Sequence, residues 1–325
     1  MRSLPPCSPV SQPFPDSAGA GTAARSLRHT LPRLIRPPAV LLSALLFTGA
    51  GPARSGQTDI PALPSGPHSG VVMQVLPNGN IVVLYPDHRA PGVEPAAQAV
   101  GAVCLFNGAT LQPMGALTGT TPGDRVGSLG ITVLANGGFL IRSPQWDNGT
   151  AVDAGAVTWC SGTDALPSEI SVENSLVGGS TGDLVGDFPI LLLKNGNYVV
   201  RTYSWDHGAV ADAGAVTWGS AATGVRGLVS PSNSLTGASA GEHLHLATAL
   251  ENGHYVVSSP GWDNGAAADA GAVIWCSGVT GRTGVVSAAD ALTGTTAGNG
   301  VGWSNGAAQS VIPLANGHYM VASVG

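Results

Sequence analysis

The sequence is short of charge, of aromatic rings and of long apolar runs, and each shortage excludes something. Charged residues make up 10% of the 325 positions and aromatic residues 5%. That is too little charge for a charge-rich disordered chain or for a long coiled coil. The mean hydropathy of +0.22 invites a membrane reading, yet after the leader the apolar residues come in runs of about four to six, far below the ~20 a bilayer requires. No membrane span is expected in the mature chain. What the sequence has in excess is glycine, 47 residues, about twice the average share, and this points to a turn-rich β protein. A single large all-β domain fits the length as well as two ordinary domains do.

The first 56 residues differ from the rest. A Pro/Ser/Ala/Arg-rich stretch with Arg25, Arg28, Arg33 and Arg36 precedes an apolar run from Ala39 to Gly51, and small residues follow around Ala50, Pro52 and Ala53. This is the layout of a basic leader ending in a secretory signal peptide, so the protein is expected to be secreted or cell-surface. Residues 57–69 read as a linker. Cleavage near Ala53 leaves 8 basic and 18 acidic residues, a net charge of −10. Such a surface repels phosphate backbones and anionic lipid, which argues against nucleic-acid partners and membrane docking. Cys104, Cys160 and Cys276 remain, an odd number, so at least one thiol is unpaired or pairs with another chain.

Internal repetition organises residues 70–325. Asn-Gly pairs at Asn78, Asn136, Asn195, Asn252 and Asn316 recur at spacings of 58, 59, 57 and 64. Gly-Ala-Val begins at Gly101, Gly155, Gly214 and Gly271, and Leu-x-Gly at Leu117, Leu176, Leu235 and Leu292. A fixed period means one supersecondary unit used several times, with units starting near 70, 128, 187, 244 and 308. Within a unit, β-branched runs flank the Asn-Gly turn, a strong hairpin signal in which both residues adopt positive φ. A third strand begins at Gly-Ala-Val, and a weaker fourth is expected near Ile170–Val172, Leu228–Ser230 and Val285–Ser287. The fold expected is all-β, a β-propeller-like array of about 4.5 four-stranded blades, with an open β-repeat solenoid as the alternative. The last unit reaches Gly325 before its third strand, so completion by another chain, or by further repeats of a longer array, is part of the expectation.

The unit running from Leu117 through Gly123-Asp-Arg-Val-Gly127, Asn136-Gly137, Ser143-Pro144 and Gly155-Ala-Val157 resembles the FG-GAP repeat of integrin-α-type β-propellers. The pattern Asn-Gly-x-Tyr-Val-Val, Trp-Asp-Asn-Gly and Asp-Ala-Gly-Ala-Val-Thr-Trp is similar to a bacterial repeat of unknown function found in large secreted haemagglutinin-like surface proteins. The resemblance implies an adhesion or binding role. The aspartate-rich calcium loop of many FG-GAP blades is absent where the resemblance would place it, at Asn136-Gly-Gly138, Asn195-Gly-Asn197 and Asn252-Gly-His254.

Candidate site residues follow the repeat. Trp146, Trp205 and Trp262 each sit beside a turn after strand two, an arrangement suited to stacking on sugars, with packing as the plainer alternative. Asp147 and Asp153, Asp206 and Asp212, and Asp263 and Asp269 form three pairs whose oxygens would suit calcium. The rival role for each pair is to cap its own turn. His243-Leu-His245 is the chief departure from the repeat, and two imidazoles on one strand face would suit a metal, although no third ligand is identifiable. Asp153-Ala-Gly-Ala-Val-Thr-Trp159 approaches the sialidase Asp-box with one residue too many, and the arginines do not cluster by repeat position. No catalytic residue is assigned. The expected function is therefore a non-catalytic adhesion module taking a glycan or a host or matrix protein, with a structural spacer as the alternative and a sialidase-like glycosidase behind both.

Overall fold

The computed structural model describes residues 71–89, 99–303 and 310–323. The expected leader and linker lie outside them. Among the described residues every regular element is a β-strand. The first unit supplies β1 (Val72–Val75), β2 (Ile81–Tyr85), β3 (Ala102–Phe106) and β4 (Pro113–Thr118). The second supplies β5 (Ile131–Val133), β6 (Phe139–Ser143), β7 (Ala156–Cys160) and β8 (Ser175–Val177). The third gives β9 (Leu191–Leu192), β10 (Tyr198–Thr202), β11 (Ala215–Gly219), β12 (Gly227–Leu228) and β13 (Leu235–Thr236). The fourth gives β14 (Leu246–Ala249), β15 (Tyr255–Ser259), β16 (Ala272–Cys276), β17 (Gly284–Val285) and β18 (Leu292–Thr293), and a hairpin of β19 (Val311–Pro313) and β20 (Tyr319–Val321) ends the series.

Each unit folds as an antiparallel meander, with one exchange that the repeat pattern does not announce. The Leu-x-Gly segments, here β8, β13 and β18, are the fourth strands of their own sheets. The segments expected to be fourth strands instead cross over. Leu228 lies in β12, which pairs in parallel with β8 of the preceding unit, and Val285 lies in β17, which pairs in parallel with β13. In the second unit the same crossing shrinks to a parallel bridge between Glu169 and Thr118. Two sheets thus have five strands instead of four. The physical reason is that Leu228 and Val285 are β-formers with no room in their own sheet, whose fourth place is already filled.

The middle strands explain where the core lies. In β6, Phe139 and Ile141 join a cluster with Leu84, Val103 and Leu105 of the first sheet, while Leu140 between them packs with Tyr198 and Val200 of the third. In β10, Val199 in turn faces Tyr255 and Val257 of β15. Successive side chains of a strand point to opposite faces, so each middle strand feeds two inter-sheet cores, which is why it reads as a continuous apolar run instead of an alternation.

The Asn-Gly turn differs from the expectation. The glycines have positive φ, from 82 to 90°, but the asparagines do not. Gly79 N donates to Leu76 O while Leu76 N donates to Asn80 O, the pattern of a three-residue loop closed by a left-handed glycine. The asparagine is thereby released for another task. Its Oδ1 accepts the amide two residues on, and its Nδ2 donates to the next unit, from Asn78 to Gly162 O, Asn136 to Ala221 O and Asn195 to Gly278 O.

Candidate functional site

The Trp-Asp loops are built from within. Trp146, Trp205 and Trp262 are 6%, 4% and 6% exposed and join the inter-sheet cores. Each backbone carbonyl accepts the amide of the Gly-Ala-Val glycine, at 2.9 to 3.0 Å from Gly155, Gly214 and Gly271. The expectation that these rings offer a face to sugars is corrected: the rings are enclosed because the loop folds back onto the start of strand three. Glycine is required there, since φ is near +77° and a Cβ on Gly155 would stand 2.3 Å from Val185 N.

The Asp pairs are resolved into turn contacts. Asp147, Asp206 and Asp263 each use Oδ1 to accept the backbone amide of Asp153, Asp212 and Asp269, at 2.8 to 2.9 Å, and the second member of each pair has φ of +52°. This is the capping role of a short polar side chain. Among the described residues no group of three or more His, Cys, Asp or Glu is placed to hold a metal ion.

A buried acid locks each loop to the turn before it. Asp124 Oδ2 accepts the amides of Thr120 and Thr121 while Oδ1 accepts that of Asp147. Asp183 does the same with Gly179, Ser180 and Asp206. Glu242 takes the amides of Ala238 and Ser239, but its longer side chain reaches Ser259 Oγ at 2.8 Å. Burial pushes all three carboxyl pKa values up, and the amide hydrogen bonds oppose the shift in part. The position holds its turn in every one of these units, with Glu242 in the third and Asn299 in the fourth, so its role is structural.

The residues that do vary come together. Pro86, Pro144 and Pro260 occupy the position where the third unit has Tyr203, and Gly127, Gly186 and Gly302 occupy that of His245. Those glycines have φ of 77, 95 and 87°, whereas His245 does not adopt positive φ, so the backbone itself departs here. The Tyr203 ring stacks on His243 at 3.9 Å and 7°, and meets His245 edge-on at 4.8 Å. Phe188 lies 5.2 Å from His245 and 6.2 Å from Tyr203, and the Arg201 guanidinium stands 5.6 Å over the Phe188 ring.

All five side chains are partly exposed. His245 Nδ1 is bonded to His243 O; with that nitrogen as donor, Nε2 carries the lone pair. Burial lowers the His245 pKa; the hydrogen bond to the His243 carbonyl opposes the shift, and the charges of Arg201 and His243 add to it. His243 Nδ1 is buried without a partner. Beside the cluster is a cleft of about 30 Å³ lined by Asp187, Phe188 and Tyr203 among others, room for about one water. The cluster is thus an aromatic platform with a cation at its edge and not a pocket. His243 and His245 precede β14 and are not in a strand, so they meet through Tyr203 and not by strand alternation.

Tandem antiparallel sheets that share their cores pairwise and exchange edge strands define a propeller-like β-repeat protein. The repeat of unknown function designated DUF5650 matches at residues 133–187, 192–245 and 249–303, together half of the chain, and the chain belongs to that family. No curated protein matches it. Solved structures similar to the chain include the selenomethionine-substituted virginiamycin B lyase from Staphylococcus aureus, with 10% identity and a TM-score of 0.29. That match covers 62% of this chain and 50% of the other, so the chain spans half the length of that enzyme.

Proposed function

We propose that the chain is a non-catalytic binding module of a secreted or surface-exposed protein, in the manner of the haemagglutinin-like and FG-GAP proteins its repeats resemble, and that it contacts its ligand through Phe188, Arg201, Tyr203, His243 and His245. One observation carries the reading: residues that break the repeat converge on a single ring, Tyr203. Scaffold positions in a repeat protein are shared between units, while a binding face is particular to one. The chemistry favours a glycan. Tyr203 and Phe188 supply flat apolar faces, Arg201 a fixed cation able to meet a carboxylate, and the imidazoles donors and acceptors for hydroxyls. A host or matrix protein bearing such groups is the same reading at larger scale. The non-catalytic part is supported by the arginines, which are engaged apart from one another: Arg125 with Asp87, Arg282 with Asp290, and Arg142 and Arg201 on carbonyls of Leu129 and Pro189.

A glycan array and matrix-protein screen on the full chain tests the proposal. Binding that falls at least tenfold in Tyr203→Ala and in Arg201→Ala, with melting temperatures held, is the expected result. A folded chain that binds nothing would leave the structural spacer as the function.

A further inference from the structure

The third-strand tryptophans are equivalent in sequence but not in setting. Trp159 Nε1 donates to Ala221 O at 3.0 Å and Trp218 Nε1 to Gly278 O at 2.9 Å, each acceptor lying in the turn that follows the next unit's third strand. The two turns, Ser220–Gly224 and Ser277–Gly281, are closed by a glycine amide bonded to the serine carbonyl. That glycine has φ of +72° in both, and its Cα rests on the tryptophan: an added Cβ would stand 2.6 Å from Trp159 Cβ and 2.7 Å from Trp218 Cβ. Ring and turn therefore form a specific joint, used twice between successive units.

Trp275 is the third ring of this series and is 44% exposed. Among the described residues its indole N–H has no acceptor and its one ring contact is His254, at 4.8 Å. Beside it opens a cleft of about 290 Å³ lined by Asn252, Asn316, Gly317, His318 and Tyr319. Asn252, equivalent to the asparagines that reach the next unit elsewhere, points into this cleft and donates to Gly317 O. The face continues an interface already used at Trp159 and Trp218.

We infer that Trp275 and this cleft form a docking site for the glycine-closed Ser-x-x-Thr-Gly turn of another DUF5650 repeat. The turn's second carbonyl would accept from Trp275 Nε1, and its closing glycine would lie flat on the indole. The described turns of a second copy of this chain do not serve. Two already cover Trp159 and Trp218, and Gly162 in the second unit's turn already accepts from Asn78 and Asn80. In the first unit's turn, Asn107–Leu111, the closing position is Leu111, with φ of +57°. A leucine side chain projects where the tryptophan must pack. The occupant is accordingly a repeat outside the described ones.

The test is a titration of the full chain, 15N-labelled at tryptophan, with a cyclised Ser-Gly-Val-Thr-Gly-Arg peptide copied from Ser277–Arg282, and with the same peptide carrying valine for its second glycine. Trp275→Ala identifies the resonance. The expected result is a saturable downfield shift of the Trp275 indole N–H at millimolar glycine peptide, with the valine peptide at least tenfold weaker. Equal shifts from both peptides, or none from either, would overturn the inference. So would concentration-dependent self-association that protects Trp275 from iodide quenching, which would make a second copy the occupant.

Discussion

At Trp205 the ring is 4% exposed and packs with Leu140, Val157 and Val200, while Tyr203, two residues earlier, stands partly exposed among histidines. Truncation separates the two roles. Trp205→Ala is expected to cost about 3–5 kcal/mol of stability, whereas Tyr203→Ala, outside the core, should cost about 1 kcal/mol or less; urea unfolding of both variants checks this. Titration adds a second residue-scale expectation. Asp124 and Asp183 have raised carboxyl pKa values, so in the window above the unfolded value of about 3.8 the native chain holds protons that the unfolded chain has released. Their contribution to stability is therefore greatest at low pH and is lost as pH rises through the raised values. Asn299 shows that an amide can hold the same turn, through Thr295 and Thr296 N. In Asp124→Asn/Asp183→Asn the proton linkage disappears, so the wild type should gain stability relative to the variant as pH is lowered from 7 towards 4. A gap moving the other way would reverse the sign assigned to burial. His245, with its lowered pKa, works oppositely, its stabilisation being lost as pH falls below about 6.5.

Among the elements, the crossing strands β12 and β17 make neighbouring units depend on each other. Val229 N donates to Val177 O and Val286 N to Thr236 O, both at 3.0 Å, across unit boundaries. Proline at Val229 removes that donor and exposes the Val177 carbonyl of a buried strand. The expectation is a loss of about 1–3 kcal/mol and a broadened, less cooperative melting transition in calorimetry, since stability in repeats depends on nearest-neighbour interfaces. The strands themselves were largely legible. Ile81–Tyr85, Phe139–Ser143, Tyr198–Thr202 and Tyr255–Ser259 stand in the structure with the bounds their apolar runs imply, because burial on both faces leaves a strong signal. The fourth strand was not. Leu235–Thr236 and Leu292–Thr293 are two residues long and sit against glycines, so they read as turn, while Leu228 and Val285 read as strand but belong to another unit's sheet. Local pattern carries the propensity for a strand and says nothing about which sheet receives it.

At the scale of the whole molecule, the cores and caps of the described residues are made without cross-links. Cys160 and Cys276 are unbridged, sit in equivalent strands β7 and β16, and have thiol pKa values pushed up to about 12 by burial. Thiol reagents should label neither in the native chain and both after unfolding without reductant; a bridge between them would contradict the order of the sheets. Excess chelator should leave the melting curve unchanged, because the Asp147, Asp206 and Asp263 carboxylates already cap their own turns. The candidate site was half visible at this scale. His243 and His245 stood out as a break in the repeat, but Tyr203 shows only when set against Pro86, Pro144 and Pro260, and Phe188 and Arg201 only once the units are packed.

The parallel crossing also gives the molecule a direction in time. The sheet that ends in β8 receives its outer strand only when β12 has been made, about 50 residues later, and the same delay separates β13 from β17. At about 5–20 residues per second, a nascent unit waits several seconds on the ribosome with an open edge before its successor seals it. For the second and third units, whose sheets take β12 and β17, the outer edge is thus closed only after the following unit has been made.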